Sequence, residues 1–150
     1  MAAAKKINIR TKGQSGEREI AIYLNDVIRK VLDEIHEDMD EVNNHNYYAQ
    51  RNQNQSAVGG NDLINTYGFA IEIKRQETLA INTWWKQCSA AAATNKETPV
   101  LLYRQSRKPW KCLMQGYIGL PNGQFGACRM EVSFETFLAA FERHVRYKLQ

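Results

Sequence analysis

The sequence has few of the features that mark secreted, zinc-binding or membrane-spanning proteins. Its three cysteines, Cys88, Cys112 and Cys128, are widely spaced and form no CxxC pair, so neither a zinc site nor a disulfide framework is indicated. No apolar run approaches the roughly 20 residues that a membrane span needs, and residues 1–6 lack the apolar stretch of a signal peptide. There is no internal repeat and no heptad series. We therefore expect reduced cysteines, a cytoplasmic location and no membrane contact.

The composition is that of a folded domain with a moderate positive charge. The chain has 150 residues, 43% of them hydrophobic, and a formal net charge of +4 at pH 7. This size fits one hydrophobic core, and this charge permits nucleic-acid binding without requiring it. Segment 1–12 is interpreted as a mobile basic arm that could touch phosphates, and residues 13–150 are predicted to form a single domain. The basic residues of the arm are Lys5, Lys6, Arg10 and Lys12.

A long amphipathic helix is predicted to begin near Ser15, a good N-cap residue. Its apolar residues recur at helical spacing: Ile20, Ala21, Leu24, Val27, Ile28, Val31, Leu32 and Ile35. Glu17 precedes Ile20 and Leu24 on the same wheel, so its carboxylate lies in line with the apolar face. An inward carboxylate is costly unless it is paired or binds a metal. The alternative is a solvated Glu17 in the first turn, where it would favour the helix dipole.

A β-hairpin is predicted after the turn signal Gly59-Gly60. Two short apolar runs, Asp62–Ile64 and Phe69–Lys74, follow it, and Asn65–Gly68 supplies the turn residues between them. The other elements are a weak strand in Tyr47–Gln55, a helix over Glu77–Thr94, strands at Pro99–Tyr103 and Trp110–Ile118, a loop at Leu120–Gly126 and a last helix from Ser133. The order predicts an α/β domain with a central mixed sheet flanked by helices.

The predicted hairpin brings acidic and basic side chains together. Side chains alternate along a strand, so Glu72 and Lys74 lie on one face. Pairing of the two arms places Asp62 opposite Ile71 or Glu72, with the register uncertain by one residue. In either register the carboxylates of Asp62 and Glu72 lie close together at the open end of the hairpin.

This arrangement favours a divalent cation. Two close carboxylates repel each other unless a cation lies between them, and hard oxygen ligands suit Mg²⁺ or Mn²⁺. The carbonyl group of Ile73 could add a ligand, and Glu17 could complete the site directly or through water. Lys74 could position a water or stabilise negative charge on a phosphate, so the set suits attack on a phosphodiester. The alternative is a salt-bridged surface group, because an isolated Glu-x-Lys triplet is common.

Three segments carry a resemblance to the PD-(D/E)xK nuclease superfamily. They are Lys12–Glu19 (KGQSGERE), Gly59–Ile64 (GGNDLI) and Ala70–Glu77 (AIEIKRQE). The first resembles the opening segment of archaeal- and phage-type Holliday junction resolvases. The resemblance covers roughly residues 10–105 and implies a restriction-endonuclease-like core in the order αβββαβ. The chain departs from the pattern at Asn61, which stands where the motif has proline.

The resemblance implies site residues, cofactor and substrate. It makes Glu17, Asp62 and Glu72 metal ligands, Lys74 the catalytic lysine and Gln87 a further candidate on the next helix. It implies a Mg²⁺-dependent endodeoxyribonuclease, with Mn²⁺ able to substitute, that acts as a homodimer on branched DNA in recombination or repair in a bacterial or phage-infected cell. Other nucleases of the superfamily (a nickase, a repair or a restriction-like enzyme) and a non-catalytic DNA-binding module are the alternatives. The intact set of four site residues argues against the last.

Candidate DNA contacts follow from position and charge. Arg51 precedes the hairpin and Arg75 follows Lys74, so both could reach phosphates near a scissile bond, while the basic arm could hold the flanks. The turn that contains Arg104, Arg107 and Lys108 is a further patch. For each of these a solvated surface residue is an equally good interpretation.

Overall fold

The computed structural model describes residues 9–35, 45–52 and 61–150, which form helices packed on both faces of a mixed β-sheet. The elements in chain order are α1 (Ile9–Ile35), a 3₁₀ turn (His45–Tyr47), β1 (Gln50–Arg51), β2 (Leu63–Ile64), β3 (Phe69–Arg75), α2 (Ile81–Asn95), β4 (Thr98–Arg104), β5 (Lys111–Gly119), β6 (Phe125–Ser133) and α3 (Phe134–Leu149). The predicted fold class is confirmed: the domain is α/β, and its mixed sheet is compatible with a restriction-endonuclease-like core.

Helix α1 carries the predicted apolar face, but it begins earlier than predicted. Ile20, Leu24 and Ile28 are completely buried, as periodicity requires of a helix that packs on a core. The helix starts at Ile9 rather than near Ser15. The Ser15 hydroxyl accepts a hydrogen bond from the Arg75 guanidinium at 3.2 Å and does not act as an N-cap. Residues 9–12 of the predicted basic arm are therefore helical, and residues 1–8 lie outside the described ranges.

The main sheet has the order β3-β4-β5-β6. Strands β3 and β4 are parallel, with Glu72 opposite Leu101 and Lys74 opposite Tyr103. A parallel pair needs a crossover connection, and α2 supplies it. Strands β4, β5 and β6 are antiparallel neighbours. This arrangement puts β3, which carries the Glu-x-Lys triplet, at one edge of the four-stranded sheet and β6 at the other.

The predicted hairpin exists as a chain reversal but not as a regular two-stranded ladder. Strand β2 pairs with β1, with Arg51 opposite Leu63, in a separate small sheet. One backbone bond closes the turn, where the Phe69 N–H donates to the Thr66 carbonyl, and one joins the two arms, where the Asp62 N–H donates to the Ile71 carbonyl. The predicted first strand is real only at Gln50–Arg51, and residues 53–55 of that prediction lie outside the described chain.

Two apolar clusters lie on the two faces of the sheet. The larger contains the buried stripe of α1, the odd-numbered residues of β3 such as Ile71 and Ile73, and Phe137 and Phe141 of α3. The smaller lies on the α2 face and contains Trp84, Leu101, Tyr103 and Leu113, with Trp85 partly buried beside it. The even-numbered residues of β3 therefore point to the α2 face. No helix within the described ranges is long and apolar enough to cross a membrane.

The carboxyl-terminal part confirms one prediction and adds an element. Ser133 is the N-cap of α3, and its side chain accepts a hydrogen bond from the Thr136 N–H. The predicted apolar stripe of α3 is buried at Phe137, Phe141 and Val145. The strand Phe125–Ser133 was not predicted, and the loop before it is correspondingly shorter than Leu120–Gly126. Helix α2 begins at Ile81 instead of Glu77.

Candidate active site

Asp62 and strand β3 are held together by two hydrogen bonds. The Asp62 N–H donates to the Ile71 carbonyl at 3.2 Å, and the Asp62 Oδ2 accepts from the Ile73 N–H at 2.6 Å. Asp62 thus lies opposite Ile71, which is one of the two registers expected from the sequence. Its carboxylate is attached to β3 directly beside Glu72, because the backbone of Ile73 follows Glu72 in the strand.

Glu72 and Lys74 form an ion pair on the α2 face of β3. The Lys74 Nζ lies 3.3 Å from the Glu72 Oε1, and the two side chains are 23% and 16% exposed. The Lys74 ammonium also lies 6.0 Å from the ring centroid of Trp84 on α2, within the range of a cation–π contact. The Lys74 ammonium is therefore held between Glu72 and Trp84, and its side chain is only partly exposed.

Burial and mutual repulsion make the two carboxyl groups difficult to ionise. Burial, followed by the nearby Glu72 charge, raises the pKa of Asp62 to about 7, although the bond from Ile73 opposes the shift. Burial also raises the pKa of Glu72, and Lys74 opposes that shift. Glu17 adds a smaller repulsion that raises both pKa values. Burial is the largest cause for both groups, and a bound cation would favour the ionised forms that burial disfavours.

Glu17 lies on the inward face of α1, as the helical wheel predicted. Only 6% of the residue is exposed, and its Oε2 lies 2.9 Å from the Arg51 Nε. The neighbouring Gly16 explains how α1 comes this close to the sheet. A Cβ atom at Gly16 would lie 3.4 Å from the Ile73 side chain and 3.3 Å from the Trp110 ring. The third carboxylate thus reaches the site, and a guanidinium is among its partners.

The donor set of the site fits a hard divalent cation. Asp62 and Glu72 offer carboxylate oxygens, the ligands that Mg²⁺ and Mn²⁺ prefer, and Mg²⁺ commonly uses one or two carboxylates with water and phosphate oxygens. Within the described ranges, no three acidic, histidine or cysteine side chains converge closely enough to form a complete metal cage. Asp62 and Glu72 are therefore the residues that would hold the ion, with Glu17 close enough to repel both of them.

A match to a family model shows which protein family the chain belongs to. Residues 8–143 match the model of a family described as phage putative PDDEXK endonuclease. The chain belongs to this family. The resemblance to PD-(D/E)xK nucleases is thereby confirmed, and the matched range extends well beyond the roughly 10–105 expected from the motifs. No curated protein and no solved structure matches the chain.

One of the residues assigned to this endonuclease from sequence, Gln87, lies on α2, the helix that packs on the face of β3 that carries Glu72 and Lys74. Gln87 is exposed on α2, and none of the hydrogen bonds found in the described part of the chain joins it to Asp62 or Glu72. The next residue, Cys88, is buried beneath the site, with its Sγ 3.3 Å from the Val100 carbonyl oxygen. Burial, followed by the Glu72 charge, raises the pKa of Cys88 to about 12. Sequence reasoning overlooked Cys88, although its spacing from Trp84 and Ala91 is that of a core stripe.

Lys12 and Arg51, two of the predicted DNA contacts of the endonuclease, are engaged in ion pairs. Lys12 lies 3.1 Å from Glu77, and Arg51 pairs with Glu17. Arg75 donates to Ser15, while its Nε is buried and has no partner within the described chain. Lys5 and Lys6 lie outside the described residues, and of Arg10 only the helical backbone is described.

Arg104, the last residue of β4, makes a contact that the sequence did not suggest. The Arg104 guanidinium lies 3.1 Å from Glu19 and 5.3 Å from the ring centroid of Trp110, which also donates its indole N–H to Glu19 at 2.9 Å. Arg107 and Lys108 are exposed. Arg104 therefore ties α1 to the sheet beside the site, and the two exposed residues stay candidates for phosphate contacts.

Proposed function

We propose that this PD-(D/E)xK endonuclease cleaves DNA with Mg²⁺ bound by Asp62 and Glu72, and that Mn²⁺ can replace it. The observation that carries the proposal is the attachment of Asp62 to the backbone beside Glu72, with both carboxyl pKa values raised. A protein gains nothing in stability from forcing two acids together. A bound cation would turn this repulsion into attraction.

The residues of the site have separable tasks. A cation bound there would supply Lewis-acid activation of a phosphate oxygen and of a water molecule. Asp62 stays in place because the Ile73 N–H holds one of its oxygens. Lys74 presents an ammonium group beside Glu72, where it can donate a hydrogen bond to a phosphate oxygen or orient the attacking water. We keep Glu17 and the Ile73 carbonyl as further candidate ligands of the cation and Gln87 as a further catalytic candidate. We assign the positioning of Glu17 to Arg51 of β1, with which it forms an ion pair.

We further propose that the substrate is branched DNA, with the four-way junction as the preferred form. The support is the resemblance of Lys12–Glu19 to junction resolvases and the net charge of +4. Two symmetric cuts across a junction require two active sites, so this substrate implies a homodimer. Nicking, repair and restriction-like activities are the other activities that the same site could perform.

A cleavage assay with a matched control variant tests the proposal. Labelled four-way junction, linear duplex and single strand are incubated with the protein in Mg²⁺, in Mn²⁺ or in EDTA. Asp62→Asn keeps the shape of the side chain and removes the charge, and Asp26→Asn makes the same change at an exposed position of α1. We expect cleavage only with a divalent cation, and a loss of more than about 100-fold in Asp62→Asn, with junction binding retained. Asp26→Asn should cut as the unchanged protein does.

Each part of the proposal has its own contrary outcome. Failure to cut any of the DNAs with any divalent cation would contradict the catalytic assignment. Equal cleavage of junction and linear duplex would remove the substrate preference and leave the nuclease. Undiminished cleavage by Asp62→Asn would show that the site has been misassigned.

A further inference from the structure

Among the strands that the structure describes, β6 is the last of the four-stranded sheet and has a neighbour on one side only. Its inner edge pairs with β5 from Phe125, opposite Gly119, to Ser133, opposite Lys111, without a bulge. In the part of the chain that the structure describes, no strand pairs with the outer edge. None of its nine residues is proline. A long, regular edge strand of this kind presents free N–H and C=O groups that another strand can bind.

The charges of β6 are arranged so that the strand complements itself. When two identical strands pair in antiparallel fashion about a two-fold axis, the residue on the axis faces its own copy and its neighbours pair reciprocally. With Met130 on the axis, Arg129 faces Glu131 of the second copy, and Glu131 faces Arg129 of the second copy. Cys128 then faces Val132 in the same reciprocal way. Opposite charges that face each other across two strands stabilise the pairing.

The neighbouring registers lack this complementarity. With Arg129 on the axis two arginines oppose each other, and with Glu131 on the axis two glutamates do, and like charges in that position destabilise a sheet. Both side chains are exposed. Arg129 donates one hydrogen bond to Asn82 at 3.0 Å, and this bond keeps the guanidinium on the α2 face, where Glu131 also lies. The charges therefore favour the single register centred on Met130.

We propose that two copies of this chain associate through the outer edges of their β6 strands, antiparallel and centred on Met130. The two four-stranded sheets then form one continuous sheet, with β3 of each copy at its two ends. The two-fold axis is perpendicular to the sheet, so both copies present the site of Asp62 and Glu72 on the same face of it. The pairing does not depend on catalysis, although a dimer is what cleavage of both strands of a junction requires.

Charge reversal tests the pairing and its register together. Sedimentation velocity over a range of protein concentrations gives the dimer dissociation constant for each variant. Arg129→Glu and Glu131→Arg each place like charges opposite each other twice in the dimer, so each should weaken association by about tenfold or more. The double variant Arg129→Glu/Glu131→Arg restores both pairs and should recover the dimer. Arg143 is an exposed residue of α3, and Arg143→Glu changes the net charge by the same amount as Arg129→Glu. This control variant should associate as the unchanged protein does.

Disulfide cross-linking shows which residues of the two β6 strands lie opposite each other. This test does not depend on how well the charge variants fold. In a Cys128→Ser background, Met130→Cys places two thiols opposite each other at a Cα separation of about 4.5–5.5 Å, which a disulfide can span. Mild oxidation should link this variant into a dimer, whereas Arg129→Cys and Glu131→Cys in the same background should link poorly. Equal linking at the three positions would contradict the register.

A monomer at every concentration, or a dimer that the single reversals leave unchanged and the double reversal does not rescue, would overturn the pairing. Such a result would leave the proposed nuclease standing if the chain still cuts DNA. A dimer that behaves as predicted but cuts no DNA would refute the nuclease and support the pairing.

Discussion

The surroundings of Asp62 have opposite effects on the ionisation of its carboxyl group. The Ile73 N–H stabilises its ionised form, while burial and the charge of Glu72 disfavour that form more strongly, so its pKa rises to about 7. A residue in this state destabilises the metal-free fold at neutral pH. We attribute its presence to function, since the same residue is placed to bind a cation.

The raised pKa predicts how stability depends on pH. A carboxyl group whose pKa is higher in the folded protein than in the unfolded chain lowers the stability of the fold as the pH rises between those two values. For Asp62 the interval runs from 3.8 to about 7. In EDTA, Asp62→Asn should therefore be more stable than the unchanged protein by roughly 1–3 kcal/mol above pH 7, and the difference should vanish near pH 4.

Denaturant unfolding at several pH values measures this difference. Asp26→Asn serves as the control, because the side chain it replaces is exposed. The difference in unfolding free energy between Asp26→Asn and the unchanged protein should not increase with pH. Stability curves of the unchanged protein and Asp62→Asn that run parallel from acid to neutral pH would refute the account of Asp62.

The ion pair between Arg51 and Glu17 gives a second prediction at this scale. The two side chains are 26% and 8% exposed, so removing the guanidinium leaves a mostly buried carboxylate without that partner. Arg51→Ala should lower the free energy of unfolding by roughly 1–3 kcal/mol. The double variant Glu17→Gln/Arg51→Ala should lose less than the sum of the single variants, as measured by urea unfolding. Strict additivity would indicate that the pair contributes nothing.

At the scale of elements, the site depends on the close approach of α1 to β3. Gly16 favours that approach, because a Cβ atom there would lie only 3.4 Å from the Ile73 side chain and 3.3 Å from the Trp110 ring, tighter than an ordinary van der Waals contact. Gly13 lies less than one turn away on the same helix, and a Cβ atom there would meet nothing within 4 Å. A comparison of the same substitution at the two positions therefore separates the effect of helix propensity from the effect of packing.

Alanine substitution at both positions makes use of this contrast. Gly13→Ala should stabilise the protein by about 0.5–1 kcal/mol, since alanine favours a helix interior. Gly16→Ala should gain less stability than Gly13→Ala and should reduce DNA cleavage, because the Ile73 and Trp110 side chains must shift by a few tenths of an ångström to admit the methyl group. Thermal unfolding and a cleavage assay on the same samples measure both effects. Equal stabilisation by the two substitutions would contradict the packing role of Gly16.

The predictions of the elements succeeded where periodicity and a helix cap agreed, and failed where a signal was overlooked or was misleading. Helix α3 was predicted with its cap, because Ser133 precedes a clear apolar stripe. Strand β6 was overlooked although Cys128–Ser133 alternates between apolar and polar residues, a pattern that indicates a strand. The start of α1 was misplaced because Ser15 looks like a cap in the sequence, whereas in the fold its hydroxyl binds Arg75.

At the scale of the whole molecule, local geometry predicted the acidic pair and long-range contacts completed the site. Alternation along β3 put Glu72 and Lys74 on one face, and the chain reversal brought Asp62 to them. The contact between Glu17 and Arg51 joins α1 to β1 across 34 positions of sequence, and no local rule predicts such a pairing. The buried Cys88 reaches the site only because α2 crosses from β3 to β4, a consequence of topology.

The most direct test of the central claim is a titration with Mn²⁺, followed by electron paramagnetic resonance of the free ion. If Asp62 and Glu72 form the metal site, the protein without DNA should bind Mn²⁺, and Mg²⁺ should compete for the same site. Asp62→Asn should lose this binding, and Asp26→Asn should retain it. Equal Mn²⁺ binding by the unchanged protein and by Asp62→Asn would contradict the claim.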